Sequence, residues 1–212
     1  MKKILIANRG EIAVRVIRAC QELGISTVAI HSTADRDSLH AKLADESICI
    51  GPGPSAKSYL SIPQIMCAAE IAGVDGIHPG YGFLSENSEF ARVCGEYQIK
   101  WIGPKPQHIQ SLGNKVEARR LCTEAGVPLL PGSDGVVTSE DEAKRIAAEI
   151  GFPLIIKAAA GGGGRGMKIV RQEKDLLPQF RLARSEAEVG FGNPDCFIER
   201  YCERPRHVEV QL

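Results

Sequence analysis

The chain has 212 residues, 43% apolar and 25% charged, with 26 basic side chains against 26 acidic ones and a formal net charge of zero. That profile belongs to soluble globular chains long enough for one large or two modest domains. The balance gives no general attraction to nucleic acid or to an acidic membrane, so any grip on a polyanion has to be local.

Residues 3–7 form an apolar run of strand length, a helix follows over about residues 11–23 behind Gly10, and Gly24 suits its left-handed end. Residues 26–31 read as the next strand, and a β-α-β start with a short turn implies a parallel sheet. The first turn carries one glycine, Gly10, where a dinucleotide site would ask for three. A short helix over 38–44, a strand over 47–50 and a rigid proline-glycine loop at 51–54 come next. A helix over 62–72 has Pro63 in its first turn and Gly73 at its end, and a strand over 75–78 follows.

That strand delivers His78-Pro79-Gly80-Tyr81-Gly82 at its carboxyl end, where an open parallel sheet takes its ligands. Gly80 and Gly82 let the Tyr81 ring project from a tight turn, and Ser85 is placed to cap a helix over 86–97. His78 taken alone is equally a turn residue donating to a backbone carbonyl. A strand over 99–104 closes the first sheet, and Pro104 with Pro106 marks a boundary.

The second half opens with a helix over 115–125, with Asn114 as a possible cap and Gly126 as its stop. Lys115 sits in the first turn, where the helix dipole disfavours a cation unless an anion is near. A hinge-like loop at 131–135 leads into a helix over 140–150, with Ser139 as N-cap and Glu142 as its capping-box partner. A helix over 174–189, a glycine-proline turn at 190–194 and a strand over 196–201 complete a small α/β unit with the anatomy of a lid. Residues 207–212 alternate polar and apolar, and a strand left unpaired there would expose an apolar face.

Inside that unit an apolar strand over 152–156 runs into Lys157-Ala158-Ala159-Ala160-Gly161-Gly162-Gly163-Gly164-Arg165-Gly166-Met167-Lys168, and a second strand over 167–170 follows. Without Cβ atoms, backbone N–H groups come close to an anion in conformations other residues resist. A P-loop is excluded because Gly166 is followed by Met167 and a strand rather than by Lys-Ser/Thr and a helix. The dinucleotide fingerprint fails for the same want of a helix. What remains is a flap between two strands, with Lys157 at the end of the incoming strand and Arg165 and Lys168 beyond it. A solvated hairpin would manage with one or two glycines.

Seven cysteines (Cys20, Cys49, Cys67, Cys94, Cys122, Cys196, Cys202) stand apart, without CxxC or metal-finger spacing, and an odd number cannot all pair internally. They are expected to be buried free thiols of a reducing compartment. Met1 is followed by Lys2-Lys3 and an apolar run too brief for a signal-peptide core or a membrane span, which points to a cytoplasmic chain or an imported domain without its leader.

The run from Lys157 to Met167 resembles the lid loop of ATP-grasp enzymes, and its form with four glycines, Arg165, Gly166 and Met167 resembles biotin carboxylase. Asn8-Arg9-Gly10-Glu11-Ile12-Ala13, the stretch from His78 to Asn87 and Pro131-Gly132-Ser133-Asp134-Gly135 resemble the same family in order and spacing, across the whole chain. The resemblance implies an α/β fold: a Rossmann-like parallel-sheet domain over 1–103 that binds no dinucleotide, a helical connection over 104–130, the lid over 131–202 and the first strand of a truncated ATP-grasp core over 203–212.

It further implies that Lys115 and Lys157 hold the phosphates of ATP under a cover of Gly161, Gly162, Gly163, Gly164, Arg165, Gly166 and Met167. Glu199, Arg200 and Cys202 resemble the base-reading segment, His207 a nucleotide contact, and Tyr81 and Gly82 the lining of the biotin pocket. On its own chemistry Glu199 is also readable as an exposed charge paired with Arg200. Arg18 and Glu22 resemble a homodimer contact or an ordinary i,i+4 pair. No catalytic residue is expected within the chain, because the family's Mg²⁺ ligands, the base acting on bicarbonate and the arginine opposite biotin would follow Leu212.

The implied activity is ATP- and bicarbonate-dependent carboxylation of biotin on a biotin carboxyl carrier protein through carboxyphosphate, serving the carboxyltransferase of an acyl-CoA or pyruvate carboxylase. The chain alone is expected to be an inactive fragment, with no nucleic-acid or membrane partner. Two other readings stand beside it: a non-catalytic nucleotide-binding or dimerisation module, and another ATP-grasp ligase such as carbamoyl phosphate synthetase or an amine ligase of purine synthesis. The stretch from His78 to Asn87 argues against the last, whose members resemble this chain in the lid but not there.

Overall fold

A computed structural model describes residues 1–113, 115–159, 167–206 and 208, without the side chains of Lys115 and Val116. Two compact units divide the chain, Met1–Gly113 and Asn114–Glu209. Their element order is α/β in the first and α/β with an antiparallel sheet in the second.

The first unit runs β1 (Lys3–Ile6), α1 (Gly10–Glu22), β2 (Ser26–His31), α2 (Leu39–Leu43), β3 (Glu46–Cys49), α3 (Ile62–Ala72), β4 (Gly76–His78), α4 (Ser88–Glu96), β5 (Lys100–Trp101) and α5 (Pro106–Gly113). Its sheet has the order β3-β2-β1-β4-β5 with every pair parallel, as the β-α-β start requires. Successive β1 residues serve opposite faces. Leu5 joins Val28, Ile30, Ile77, Ile65 and Phe90 on one side, while Ile4 and Ile6 meet Ile12, Ala13, Val16, Ile17 and Cys20 of α1 on the other. Gly24 at φ +67° and Gly73 at φ +59° follow α1 and α3 in the left-handed conformation expected of them.

Two of the boundaries that differ from expectation have a visible cause. Helix α4 begins at Ser88 because the Asn87 side chain accepts the Phe90 N–H at 2.8 Å, whereas the Ser85 N–H closes a turn onto the Gly82 carbonyl. Helix α5 lies within the helical connection expected over 104–130, and it starts at the boundary itself: Pro106 is its first residue, a position whose N–H has no helical partner to lose.

The second unit runs α6 (Lys115–Glu124), α7 (Glu140–Ile150), β6 (Leu154–Ala158), β7 (Met167–Val170), α8 (Leu176–Phe191) and β8 (Cys196–Arg200). Its antiparallel sheet has the order β7-β6-β8, and α7 and α8 cover one face. Leu154, Ile156, Ala158, Val170 and Ile198 point into that core with Ile146, Ile150 and Phe180. The Ser139 hydroxyl accepts the Glu142 N–H at 3.2 Å, and the Glu142 carboxylate takes the Thr138 N–H at 3.0 Å, one residue before the expected capping-box donor.

All seven cysteines are free, but only Cys20, Cys94 and Cys196 are buried. Cys122 is half-buried, and Cys49, Cys67 and Cys202 are exposed, which corrects the expectation of seven buried thiols. Cys49 ends the edge strand of the first sheet, and Cys67 lies on α3 between the inward-facing Met66 and Ala68. Among the described residues no helix is long and apolar enough to cross a membrane.

Candidate functional site

The alternation that sends Leu154, Ile156 and Ala158 into the core leaves Ile155 and Lys157 on the opposite face of β6. Lys157 pairs in register with Met167 on β7 and with Phe197 on β8, while Ile155 pairs with Glu199. Lys157 and Glu199 are therefore diagonal neighbours on one face, within reach of long side chains. Lys157 Nζ donates to Glu199 Oε2 at 2.6 Å and stands 5.8 Å from the centre of the Phe197 ring.

The other carboxylate oxygen of Glu199 accepts from Arg119 Nη1 of α6 at 3.3 Å, and Arg119 Nη2 donates to the Leu130 carbonyl at 2.8 Å. Sequence reasoning missed Arg119, which lies 80 positions from Glu199 and follows no local signal. Two cations thus share one carboxylate, with side chains 31% (Lys157), 21% (Arg119) and 15% (Glu199) exposed. Partly desolvated positive charge in excess, beside the exposed apolar Met167 and Ile169, suits an anion that also carries apolar surface.

Met167 shares the Lys157 face. Gly161, Gly162, Gly163, Gly164, Arg165, Gly166 and His207 lie outside the described residues, as does the Lys115 side chain. Lys168 points the other way and binds Glu186 of α8 at 2.7 Å, so it is no part of the flap. Arg200 also turns to the helical side, where its guanidinium donates to the Ile150 carbonyl. The reading of Glu199 as an exposed charge paired with Arg200 is therefore wrong, because adjacent strand residues face opposite ways. Cys202 is exposed just beyond β8.

The loop at 131–135 is sewn onto β8 rather than hinged freely. Ser133 N–H donates to the Ile198 carbonyl at 2.8 Å, the Ser133 hydroxyl accepts the Ile198 N–H at 3.2 Å, and Arg200 N–H donates to the Pro131 carbonyl at 2.8 Å. A Cβ on Gly132 would stand 2.6 Å from the Ile198 carbonyl oxygen, so only glycine fits there.

In the first unit His78 Nδ1 accepts the Gly80 N–H at 3.0 Å, which places its proton on Nε2, and burial holds its pKa below the usual value. It is an acceptor in the turn, not the carbonyl donor that the sequence allowed. The Tyr81 ring is 44% exposed, and its hydroxyl donates to Glu11, which raises the phenol pKa. Gly82 at φ +67° has open space where a Cβ would be. Phe83, at φ +42°, stacks on Tyr59 with ring centres 5.1 Å apart.

Tyr59 belongs to a buried network that the sequence did not reveal. Asp35 accepts from Arg9 Nε at 2.9 Å, from the Ser32 hydroxyl at 2.8 Å and from the Tyr59 hydroxyl at 2.8 Å. The Arg9 guanidinium, followed by the two hydroxyls, holds the Asp35 carboxyl far below the carboxylate range in spite of its burial. Burial pushes the Tyr59 phenol up to about 12. Arg18 and Glu22 are exposed on α1, and neither forms an ion pair among the described residues. Nor, among the described residues, do three or more His, Cys, Asp or Glu side chains gather as a metal site would need.

Residues 1–109 match the family model described as the biotin carboxylase N-terminal domain. The chain belongs to the biotin carboxylase family. Residues 114–212 match the model described as the carbamoyl-phosphate synthase L chain ATP-binding domain. The biotin carboxylase of Nostoc sp. is 53% identical over 99% of this chain and 47% of its own length. The pyruvate carboxylase of Staphylococcus aureus is 55% identical over the whole chain and 18% of its own.

Solved biotin carboxylases share the fold. The Campylobacter jejuni enzyme, in its β-γ-ATP complex, superposes with a TM-score of 0.85 at 50% identity, covering 97% of this chain and 46% of its own. The biotin carboxylase domain dimer of Hydrogenobacter thermophilus 2-oxoglutarate carboxylase, solved with MgADP, ADP and bicarbonate, gives 0.81 at 50% identity, covering 95% and 44%. This chain thus spans about half the length of the biotin carboxylases it matches.

Proposed function

We propose that the chain supplies the nucleotide grip and the biotin-facing loop of a biotin carboxylase. The observation that carries this is the cluster in which Lys157 and Arg119 share Glu199 on the sheet face that also carries Met167. In the proposed reaction a bicarbonate oxygen attacks the γ-phosphorus of ATP, the bond to the β–γ bridging oxygen breaks, and ADP leaves. Carboxyphosphate then splits into CO₂ and phosphate, the phosphate takes the proton of the ureido N–H of biotin on a biotin carboxyl carrier protein, and that nitrogen attacks the CO₂, giving carboxybiotin for use by a carboxyltransferase.

Lys157 and Lys115 would offset charge gathering on the transferred phosphoryl group, a role suited to fixed cations in a partly desolvated site. Gly161 to Gly164, Arg165, Gly166 and Met167 would close over the polyphosphate and keep water from an intermediate that hydrolyses easily. Glu199, the backbone at Arg200 and Cys202, and His207 would read the base, and Tyr81 with Gly82 would line the biotin pocket. Residues 131–202 would act as the lid. Mg²⁺ needs oxygen ligands, yet Glu199 has both oxygens taken by cations and the described residues offer no carboxylate set, so no step is assigned to a metal here. A cytoplasmic homodimer touching through Arg18 and Glu22 completes the reading, and the Hydrogenobacter domain is itself a dimer.

Full-length protein assayed for phosphate release should cleave ATP only with bicarbonate, faster with biotin, and Lys157→Ala should abolish turnover. Near-normal turnover of that variant, or cleavage indifferent to bicarbonate, would refute the proposal. Carbamoyl phosphate synthesis is disfavoured because the match to the biotin carboxylase N-terminal domain covers the loop from His78 to Asn87.

A further inference from the structure

In the sheet order β3-β2-β1-β4-β5 the winding reverses between β1 and β4, and the loops leaving those strands bound the crevice where open parallel sheets take ligands. One side chain spans it here. Asn8, 3% exposed, sends Nδ2 to two carbonyls of the opposite loop, Pro79 at 2.8 Å and Tyr81 at 2.7 Å, while its Oδ1 accepts the Arg9 N–H at 2.9 Å. Both amide protons and the amide oxygen are in use. Gly80 lies between the two carbonyls at φ +66°, and a Cβ there would stand 2.8 Å from Asn8 Nδ2.

A buried amide pays heavily for any bond left unmade, so the loop's path and the Asn8 side chain constrain each other. The first turn of α1 reaches the loop as well, through Glu11 and the Tyr81 hydroxyl. Tyr81 is thereby held at its backbone carbonyl from within and at its ring from outside, while the ring stays half open to solvent.

We infer that Asn8 is a positioning residue: it fixes residues 78–82 so that Tyr81 and Gly82 form a ready-made binding surface. The link to biotin rests on the reading of this loop given under Proposed function. The hold on the loop does not.

Two quantities decide this in full-length protein: amide hydrogen exchange over residues 78–87, and the apparent KM for free biotin and for ATP. Wild type is compared with Asn8→Asp, which sets an oxygen against the two carbonyls, with Asn8→Ser, which keeps one short donor and no buried charge should the first variant fail to fold, and with Tyr81→Ala. Either Asn8 variant should speed exchange at Gly80 and Ser85 by roughly tenfold or more while β1 stays protected, and raise the biotin KM by roughly tenfold with the ATP KM within about threefold. Unchanged loop exchange overturns the inference. Faster exchange with an unchanged biotin KM, where Tyr81→Ala does raise it, overturns the presenting role. Should Tyr81→Ala leave the biotin KM unchanged, the biotin reading of the loop fails, and the exchange result alone decides whether Asn8 holds it.

Discussion

Lys157 and Glu199 stand 2.6 Å apart across β6 and β8, on the sheet face turned away from α7 and α8. Glu199 therefore occupies the Lys157 ammonium, and Arg119, on its second oxygen, leaves the cluster with one positive charge to spare. In the proposed site a nucleotide entering this face would compete with Glu199 for Lys157, and Arg119 would keep Glu199 satisfied when Lys157 is drawn away.

Arg119→Ala should cost on both counts. With Arg119 gone, Glu199 has only Lys157, and the surplus charge disappears. Nucleotide affinity should fall several-fold by calorimetry, and the second unit should lose about 1–2 kcal/mol in denaturant titration, since a charge-assisted bond and the bond to the Leu130 carbonyl both go. Unchanged affinity with unchanged stability would mean that the cluster has no such coupling.

Asp35 should make the first unit acid-sensitive. Its folded carboxyl titrates well below the unfolded value of about 3.9, so in acid the unfolded chain takes up the proton first and stability rises with pH. The stabilisation is complete above the unfolded value and is lost as pH falls towards the folded one. Asp35→Asn should flatten this part of the stability–pH curve and cost about 1–3 kcal/mol at neutral pH. A curve between pH 2 and 5 identical to wild type would contradict the assignment.

Two glycine-to-alanine changes should act in opposite directions. Gly132→Ala puts a methyl 2.6 Å from the Ile198 carbonyl and should destabilise by about 1–3 kcal/mol, moving the β8 backbone at Glu199. Gly190→Ala in α8 meets nothing within 4 Å and should stabilise by about 0.5–1 kcal/mol. Thermal melts of the two variants test both signs.

The cysteines should separate by reactivity. Burial raises the Cys94 thiol to about 12 and that of Cys196 to about 11, so both stay protonated, whereas Cys49, Cys67 and Cys202 are exposed. A thiol reagent on native protein should label those three rapidly and Cys20, Cys94 and Cys196 only on unfolding. Fast labelling of Cys94 would show that the α4 core opens in the native state.

Local signals and long-range ones were unequally legible. Helices α1 and α3 were readable because apolar spacing and a following glycine in the left-handed conformation agree at Gly24 and Gly73. A helical connection was expected over 104–130, but the start of α5 was hidden because proline breaks a helix interior yet suits a helix start, and Pro106 is the latter. Lys157, Met167 and Glu199 were each singled out, but nothing local says that β6 and β8 pair so as to set Lys157 diagonal to Glu199, or that Arg119 reaches across from α6. The Asp35 network was invisible for the same reason: Arg9, Ser32 and Tyr59 are brought together by parallel strand ends and a loop, not by spacing. The likeness to biotin carboxylases named the chemistry that these contacts alone leave open.

The most direct measurement is a crystal structure of the full-length protein with ADP and Mg²⁺. Phosphate oxygens within hydrogen-bonding distance of Lys157 Nζ, with the glycine run from Gly161 to Gly166 against them, are the expected result. Phosphates bound elsewhere, with Lys157 still paired to Glu199, would contradict the proposed nucleotide site.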